Sequence, residues 1–321
     1  MIDTTVIFIF LAAAIVAATL TPGVRALALR VGAVDAPGAR KIHALATPRL
    51  GGVAVLAAGV SALALAAGVS RVLGTPAESL LTPTARALGV GAAIVFAVGL
   101  RDDVKGVTPS AKLAAISLAA ALALADGILI QRFTLFHHTY QLGLLAMPAT
   151  FLWIVGLTNA FNLIDGLDGL ATGMAIIAAT SCGLLLLIRG DRQNAVVLVA
   201  LVGAGVGFLP YNFNPATIFL GDCGSLVFGF VLAVTAITGW QKGATALAVG
   251  APLLVLALPI ADVVGSVARR VAGRRPVFAP DQRHIHHWLL RLGLSHRGAV
   301  LVLYACALVL AALAVLTADL R

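Results

Sequence analysis

Long apolar runs alternate with short polar breaks almost from the first residue to the last. The runs 5–22, 51–70, 84–100, 113–130, 143–158, 169–188, 195–210, 223–239, 244–263 and 298–318 each come close to the roughly 20 apolar residues that a helix needs to cross a bilayer. The run 113–130 is the weakest, because it contains Asp126. The pattern predicts an all-α polytopic membrane protein of about ten transmembrane helices, ten or eleven, as a single membrane domain over residues 1–321. No Lys or Arg precedes the first run, and the first basic residue is Arg25. A cleaved signal needs a basic segment ahead of its apolar core, so residues 5–22 are expected to stay as a helix.

Composition sharpens this reading. Of 321 residues, 60% are hydrophobic and 11% charged, where a soluble domain has about a quarter charged. Cys182, Cys223 and Cys306 are scattered without metal or redox spacing and are expected as free thiols. The net charge of +9 is unevenly placed. Fifteen of the 22 Lys and Arg residues fall in connections 23–50, 101–112, 159–168, 211–222 and 264–297, and seven fall on the other side. Positive residues favour the cytoplasmic side, so these five connections are predicted to be cytoplasmic and both termini outside. Basic loops beside anionic headgroups are ordinary, and nothing here points to nucleic acid.

The unusual polar stretches all fall in the same five connections. They are KIHALATPRLGG (41–52), LRDDVKGVTPSAK (100–112), NAFNLIDGLDG (159–169), YNFNPATIFLGDCGS (211–225) and DQRHIHHWLL (281–290). Asp102, Asp103, Asp165, Asp168 and Asp222 thus come from three separate loops to one face. If they converge, a cation must offset their repulsion, and Mg²⁺ suits carboxylate oxygens completed by water and substrate phosphates. Lys41, Arg49, Lys105, Lys112 and the histidines would surround an anionic ligand. An acid cluster with a basic rim reads as a metal-dependent phosphoryl-transfer site. Each piece also has a plainer reading. Asp102 and Asp103 could be solvated acids after a helix, Asp168 and GDCGS could open the helices that follow them, and HIHH could be an interfacial helix anchored by Trp288 and Leu289. Around His137 and His138 an interfacial hairpin or re-entrant piece is expected.

Taken together and in order, from about residue 40 to 297, these stretches resemble the polyprenyl-phosphate N-acetylhexosamine-1-phosphate transferases. The motifs that carry the resemblance are DD with a downstream Lys, NxxNxxDGLDGLA, PxxIFLGDxGS and HIHH. TPRLGG and HIHH resemble the GlcNAc-1-phosphate branch, which starts O-antigen, teichoic acid or arabinogalactan-linker synthesis. The phospho-MurNAc-pentapeptide transferases, the alternative branch, carry a TPTMGG-like segment and an HHH triplet. Thr217 departs from the family, which often has a basic residue there. The resemblance implies transfer of a sugar 1-phosphate from a UDP-sugar to a polyprenyl phosphate in the bacterial plasma membrane, with Mg²⁺ (or Mn²⁺) as cofactor; a homodimer is compatible. It implies Asp222 as direct metal ligand, with Asp103 and Asp165 in support, Asp102 at the lipid phosphate and Lys112 beside it. It implies Asn162, Asp165 and Asp168 at the nucleotide, Phe219 stacked on uracil, His284, His286 and His287 at the diphosphate or sugar, and Lys41, His43 and Arg49 at the mouth. A transporter is the competing class, but the acids gather at one face and the two halves show no repeat.

Overall fold

The computed structural model describes residues 4–35, 46–72, 82–135, 138–241, 257–272 and 285–319. Its helices are α1 (Thr4–Arg30), α2 (Gly51–Val72), α3 (Pro83–Lys105), α4 (Pro109–Ala125), α5 (Ala146–Ile164), α6 (Leu170–Ile188), α7 (Arg192–Asn212), α8 (Asp222–Gln241), α9 (Ala257–Ala272), α10 (Ile285–Arg291) and α11 (His296–Asp319). Among the described residues seven helices are long and apolar enough to cross a membrane, and α4 and α8 are shorter apolar helices. The protein is a multi-pass, all-α membrane protein. Most of the predicted run 244–263 lies outside the described residues.

Local signals explain where the helices begin. Thr82–Pro83 and Thr108–Pro109 are paired start signals: each Thr hydroxyl accepts from the amide three residues on, Ala85 at 3.1 Å and Ala111 at 3.3 Å. Proline at the first helical position loses no hydrogen bond there. The ends differ from expectation. The last turn of α3 continues to Lys105 and stops only at Gly106, with φ of 73°, so Asp102 and Asp103 sit on a helix and not in a loop. Likewise Asn159 and Asn162 belong to α5, and Arg25 and Arg30 to α1. The polar residues extend the helices past the apolar runs because a helix end at the membrane surface needs no apolar side chains. Arg269 and Arg270, expected in a loop, form the last turn of α9. Asp126 lies just past α4 as its cap and accepts from Arg86 Nε at 2.8 Å. Among the described residues two short antiparallel strand pairs are added: β1 (Val34–Asp35) with β2 (Thr47–Pro48), and β3 (Arg132–Leu135) with β4 (His138–Gln141). The second includes His138, where an interfacial hairpin or re-entrant piece is expected, while His137 lies outside the described residues.

Helix α8 is the axis of the bundle. It packs on α2, α3, α5, α6 and α7, and every residue from Cys223 to Thr238 is buried. Its sequence is apolar all round, as a fully enclosed helix must be. Small residues bring the neighbours close. A Cβ on Gly52 at the start of α2 would lie 2.2 Å from the Gly224 nitrogen, and one on Gly99 of α3 would lie 2.6 Å from the Asp222 carbonyl carbon. Gly52→Ala is therefore expected to destabilise the fold by about 1–3 kcal/mol, read as a lower unfolding temperature in detergent. An unchanged temperature would show that α2 and α8 part without cost.

The hydrogen-bond partners fix which ends meet. The C-terminal ends of α3, α5 and α7 and the N-terminal ends of α2, α4, α6, α8 and α11 share one end of the bundle, where α1 also arrives through Arg25. This is the alternation of connections expected from the sequence. The start of α1 and the end of α11 consequently lie towards the opposite end.

Candidate active site

The first residue of α8 is Asp222, delivered to the crowded end by a helix buried without interruption from Cys223 to Thr238. Three neighbours surround it. The Lys112 ammonium of α4 lies between two carboxylates, donating to Asp102 Oδ2 at 2.9 Å and to Asp222. Asp102 Oδ1 accepts the Val107 amide at 2.6 Å, which ties it to the α3–α4 turn. Asp103, one residue on and rotated about 100° around α3, points elsewhere. Its two oxygens accept the backbone amides of Asp222 at 2.9 Å and Cys223 at 3.0 Å. The first amides of a helix have no partner within it, and Asp103 supplies that partner from another helix. Gly221, with φ of 75°, makes the approach possible: a Cβ there would lie 2.6 Å from Asp103 Oδ2. Thus the adjacent pair has two roles, one acid facing Lys112 and one holding α8.

The TPRLGG segment closes the other side. Pro48 accepts the Phe219 amide at 2.8 Å, while Phe219 and Leu220 accept the Gly51 and Gly52 amides at 2.9 and 2.8 Å. The segment is a backbone splint for IFLGD. Its Leu50 turns the chain into α2 at a φ of 102° with its side chain buried, a strained conformation of a kind found near functional sites. Arg49 pairs with Asp35 between the paired strands β1 and β2. Phe219 is half-buried.

Asp165 follows the last residue of α5. Burial pushes its carboxyl well above the usual carboxylate range, and the charges of Asp222, Asp103 and Asp168 push it further. Those four acids are therefore electrostatic neighbours. Asn162 donates to Ser225 Oγ at 3.1 Å, joining α5 to the first turn of α8. Asp168 is 4% exposed. Its Oδ2 accepts from Asn214 Nδ2 at 2.9 Å and from the Ala216 amide at 3.0 Å. These contacts tie the 165–169 turn to the loop between α7 and α8.

The donor set is all carboxylate oxygen, which suits a hard divalent cation. Among the described residues no three His, Cys, Asp or Glu side chains form a preformed cage, but Mg²⁺ is commonly held by one or two carboxylates with water and substrate phosphate. Asp222 and Asp165 fit that need.

His286 and His287 lie in the first turn of α10, whose leading amide, Ile285, donates to buried Asp262 at 2.8 Å. Lys41, His43 and His284 lie outside the described residues. Several residues with a bearing on the site were not singled out in the sequence: Asp35, Asn212, Asn214, His296, Arg297 and Tyr304. Asn212 was discoverable as a buried amide in an apolar helix; it accepts from Thr172 at 2.7 Å and donates to the Ile218 carbonyl at 3.1 Å.

Residues 85–240, which carry Asp102 to Asp222, match the profile of glycosyl transferase family 4. Over 301 residues the chain is 36% identical to a probable undecaprenyl-phosphate N-acetylglucosaminyl 1-phosphate transferase of Bacillus subtilis, covering 93% of this chain and 81% of that protein. The chain belongs to glycosyltransferase family 4. Two further relatives agree. The decaprenyl-phosphate N-acetylglucosaminephosphotransferase of Mycobacterium tuberculosis is 35% identical over 92% of this chain and 78% of its own length. The undecaprenyl-phosphate alpha-N-acetylglucosaminyl 1-phosphate transferase of Escherichia coli is 26% identical over 91% of this chain and 78% of its own length. All three names point to the N-acetylglucosaminyl branch that TPRLGG and HIHH resemble. In family 4 terms, the matched region holds the acids and Lys112, while TPRLGG, HIHH and α11 lie outside it.

Proposed function

We propose that this family 4 protein transfers N-acetylglucosamine 1-phosphate from UDP-GlcNAc to a polyprenyl phosphate, releasing UMP. The observation that carries this reading is Lys112 held between Asp102 and Asp222, at the end of the bundle where Asp165 also lies. The names of the relatives supply the substrate class. The positive-inside bias supports a cytoplasmic site, in the bacterial plasma membrane.

The lipid phosphate is already an anion. The second pKa of a phosphate monoester is about 6, so at neutral pH its oxygen needs little help from a base. That oxygen attacks the β-phosphorus of the UDP-sugar, the bond to the bridging oxygen breaks, and UMP leaves. Lys112, held by Asp102 and Asp222, presents an ammonium to the phosphates from a part-buried position, where fixed charge acts more strongly than in open water. Asp102 orients Lys112 and faces the incoming lipid phosphate. Asp222, with Asp165 behind it, would hold Mg²⁺, which neutralises the diphosphate charge when bound. Asp103 acts through the α8 backbone. Phe219 offers a ring for uracil, Asn162 a polar group for the nucleotide, Arg49 a cation at the mouth, and the HIHH histidines donors for the diphosphate or sugar.

The test uses purified protein with undecaprenyl phosphate and Mg²⁺. UDP-GlcNAc, UDP-GalNAc and UDP-MurNAc-pentapeptide are offered separately and UMP release is followed, with an EDTA control. Release with UDP-GlcNAc alone, lost in EDTA, is the expected result. Release only with the pentapeptide donor would move the protein to the other branch, and activity unaffected by EDTA would remove the metal.

A further inference from the structure

The N-terminal part of α11 makes polar contacts that no packing role requires. The His296 imidazole accepts the Asp168 amide through Nε2 at 2.9 Å. The Tyr304 hydroxyl, two turns further along, donates to the Gly169 carbonyl at 2.5 Å. Arg297 Nε donates to the Asn214 carbonyl at 2.8 Å. Asp168 in turn receives Asn214 and Ala216. The contacts close a ring from α11 to the 165–169 turn, from the turn to the 211–221 loop, and from the loop back to α11. Asp165 sits at one end of the turn, and Phe219 and Asp222 follow the loop. The Tyr304 ring reaches this place only because position 173 is glycine: a Cβ there would lie 2.0 Å from its hydroxyl oxygen.

We infer that His296, together with Arg297 and Tyr304, is a positioning clamp for the donor half of the site, setting Asp165 and Phe219 relative to Asp222. The inference rests on the transferase reading for its functional consequence, though not for the clamp itself. The three residues act through backbone groups of the turn and loop. All three lie beyond the region matched by the family profile. The Asp168 amide donates into the ring, so His296 must keep a lone pair on Nε2. A phenylalanine keeps the ring volume and loses that acceptor, whereas the side-chain oxygen of glutamine falls near the place of Nε2. The donor half should be affected selectively because the turn and loop carry the nucleotide-facing residues, while Asp102 and Lys112 hang from α3 and α4.

The experiment compares full-length wild type, His296→Phe and His296→Gln in detergent. Hydrogen–deuterium exchange is read over residues 165–173 and 211–221, and KM is measured separately for UDP-GlcNAc and undecaprenyl phosphate. In H296F, exchange at the Asp168 amide is expected to rise about tenfold or more and the UDP-GlcNAc KM about tenfold. The lipid KM should stay within about twofold, and H296Q should restore both changed values. Unchanged exchange in H296F overturns the clamp. So does an equal rise in both KM values that Gln fails to rescue, which marks general damage. If wild type turns over no donor, the transferase reading falls and the exchange data still decide the clamp. Where H296F fails to fold, Tyr304→Phe, which removes the donor to the Gly169 carbonyl, should raise exchange over residues 165–173 and the UDP-GlcNAc KM while leaving the lipid KM within about twofold; unchanged exchange there overturns the clamp.

Discussion

Replacing Asp222 by alanine is expected to abolish transfer, by about 10³-fold or more, while the protein stays folded in the membrane. The two halves of this expectation have separate physical causes. Asp222 is the one acid that touches Lys112 from the centre of the bundle, and its loss removes the carboxylate best placed for a divalent cation. Lys112 would keep Asp102, so its charge would remain but its position would relax. The fold, by contrast, depends on α8 from Cys223 onwards, which is buried without interruption to Thr238. An alanine at the first helical position forfeits only the favourable interaction of an acid with the helix start, about 0.3–1 kcal/mol, and Asp103 still receives the backbone amide of residue 222. UMP release and the unfolding temperature in detergent, measured on the same sample, check both halves. Near-normal turnover would remove Asp222 from the metal, and a collapsed unfolding temperature would make the activity loss uninformative. Asp222→Asn, with nearly the same shape, should be as inactive as alanine if charge is what matters.

The acids were legible in the sequence because a charged residue in so apolar a chain is costly, and DD, DGLDG and GDCGS stand out without any structure. The face they share was legible too, since alternating spans force odd connections to one side. What was not legible is which acid does what. Asp102 and Asp103 are neighbours in sequence, yet the helical rotation sends one to Lys112 and the other to the amides of α8, 119 residues away. Asp165 and Asp168 share one short turn, and hydrogen bonding separates them, because Asp168 grips the loop through Asn214 and Ala216. His296 and Tyr304 gave no signal, because a His at a helix start and a Tyr in an apolar run are ordinary. Their partners are backbone groups, which carry no sequence mark. The splint between TPRLGG and IFLGD was hidden for the same reason. Helix ends were misplaced by several residues wherever the apolar run stopped before the helix did, as at Asp102 and Asn162.

The division of labour between the two adjacent acids leads to the second large effect. Asp103→Ala should both destabilise the protein and inactivate it, and the two losses should scale together. Alanine leaves the Asp222 and Cys223 amides without their acceptor in a buried place. Each unsatisfied donor costs about 1–3 kcal/mol, so the pair is expected to cost about 2–6 kcal/mol. Water can reach the gap only if α3 and α8 separate, and Gly99 against Asp222 shows how little room there is. Activity should fall by about 10² or more, because Asp222 then starts from a frayed helix end. Asp103→Asn separates this role from metal ligation. Its one carbonyl oxygen can satisfy one amide, while its NH₂ group faces the other, so the unfolding temperature should fall between wild type and alanine. The Mg²⁺ concentration for half-maximal UMP release should stay near the wild-type value, since on the proposed reading Asp222 and Asp165 would hold the cation. If instead the unfolding temperature is unchanged and the Mg²⁺ requirement rises steeply in D103N, Asp103 serves the metal directly, and the amide contacts are secondary to that.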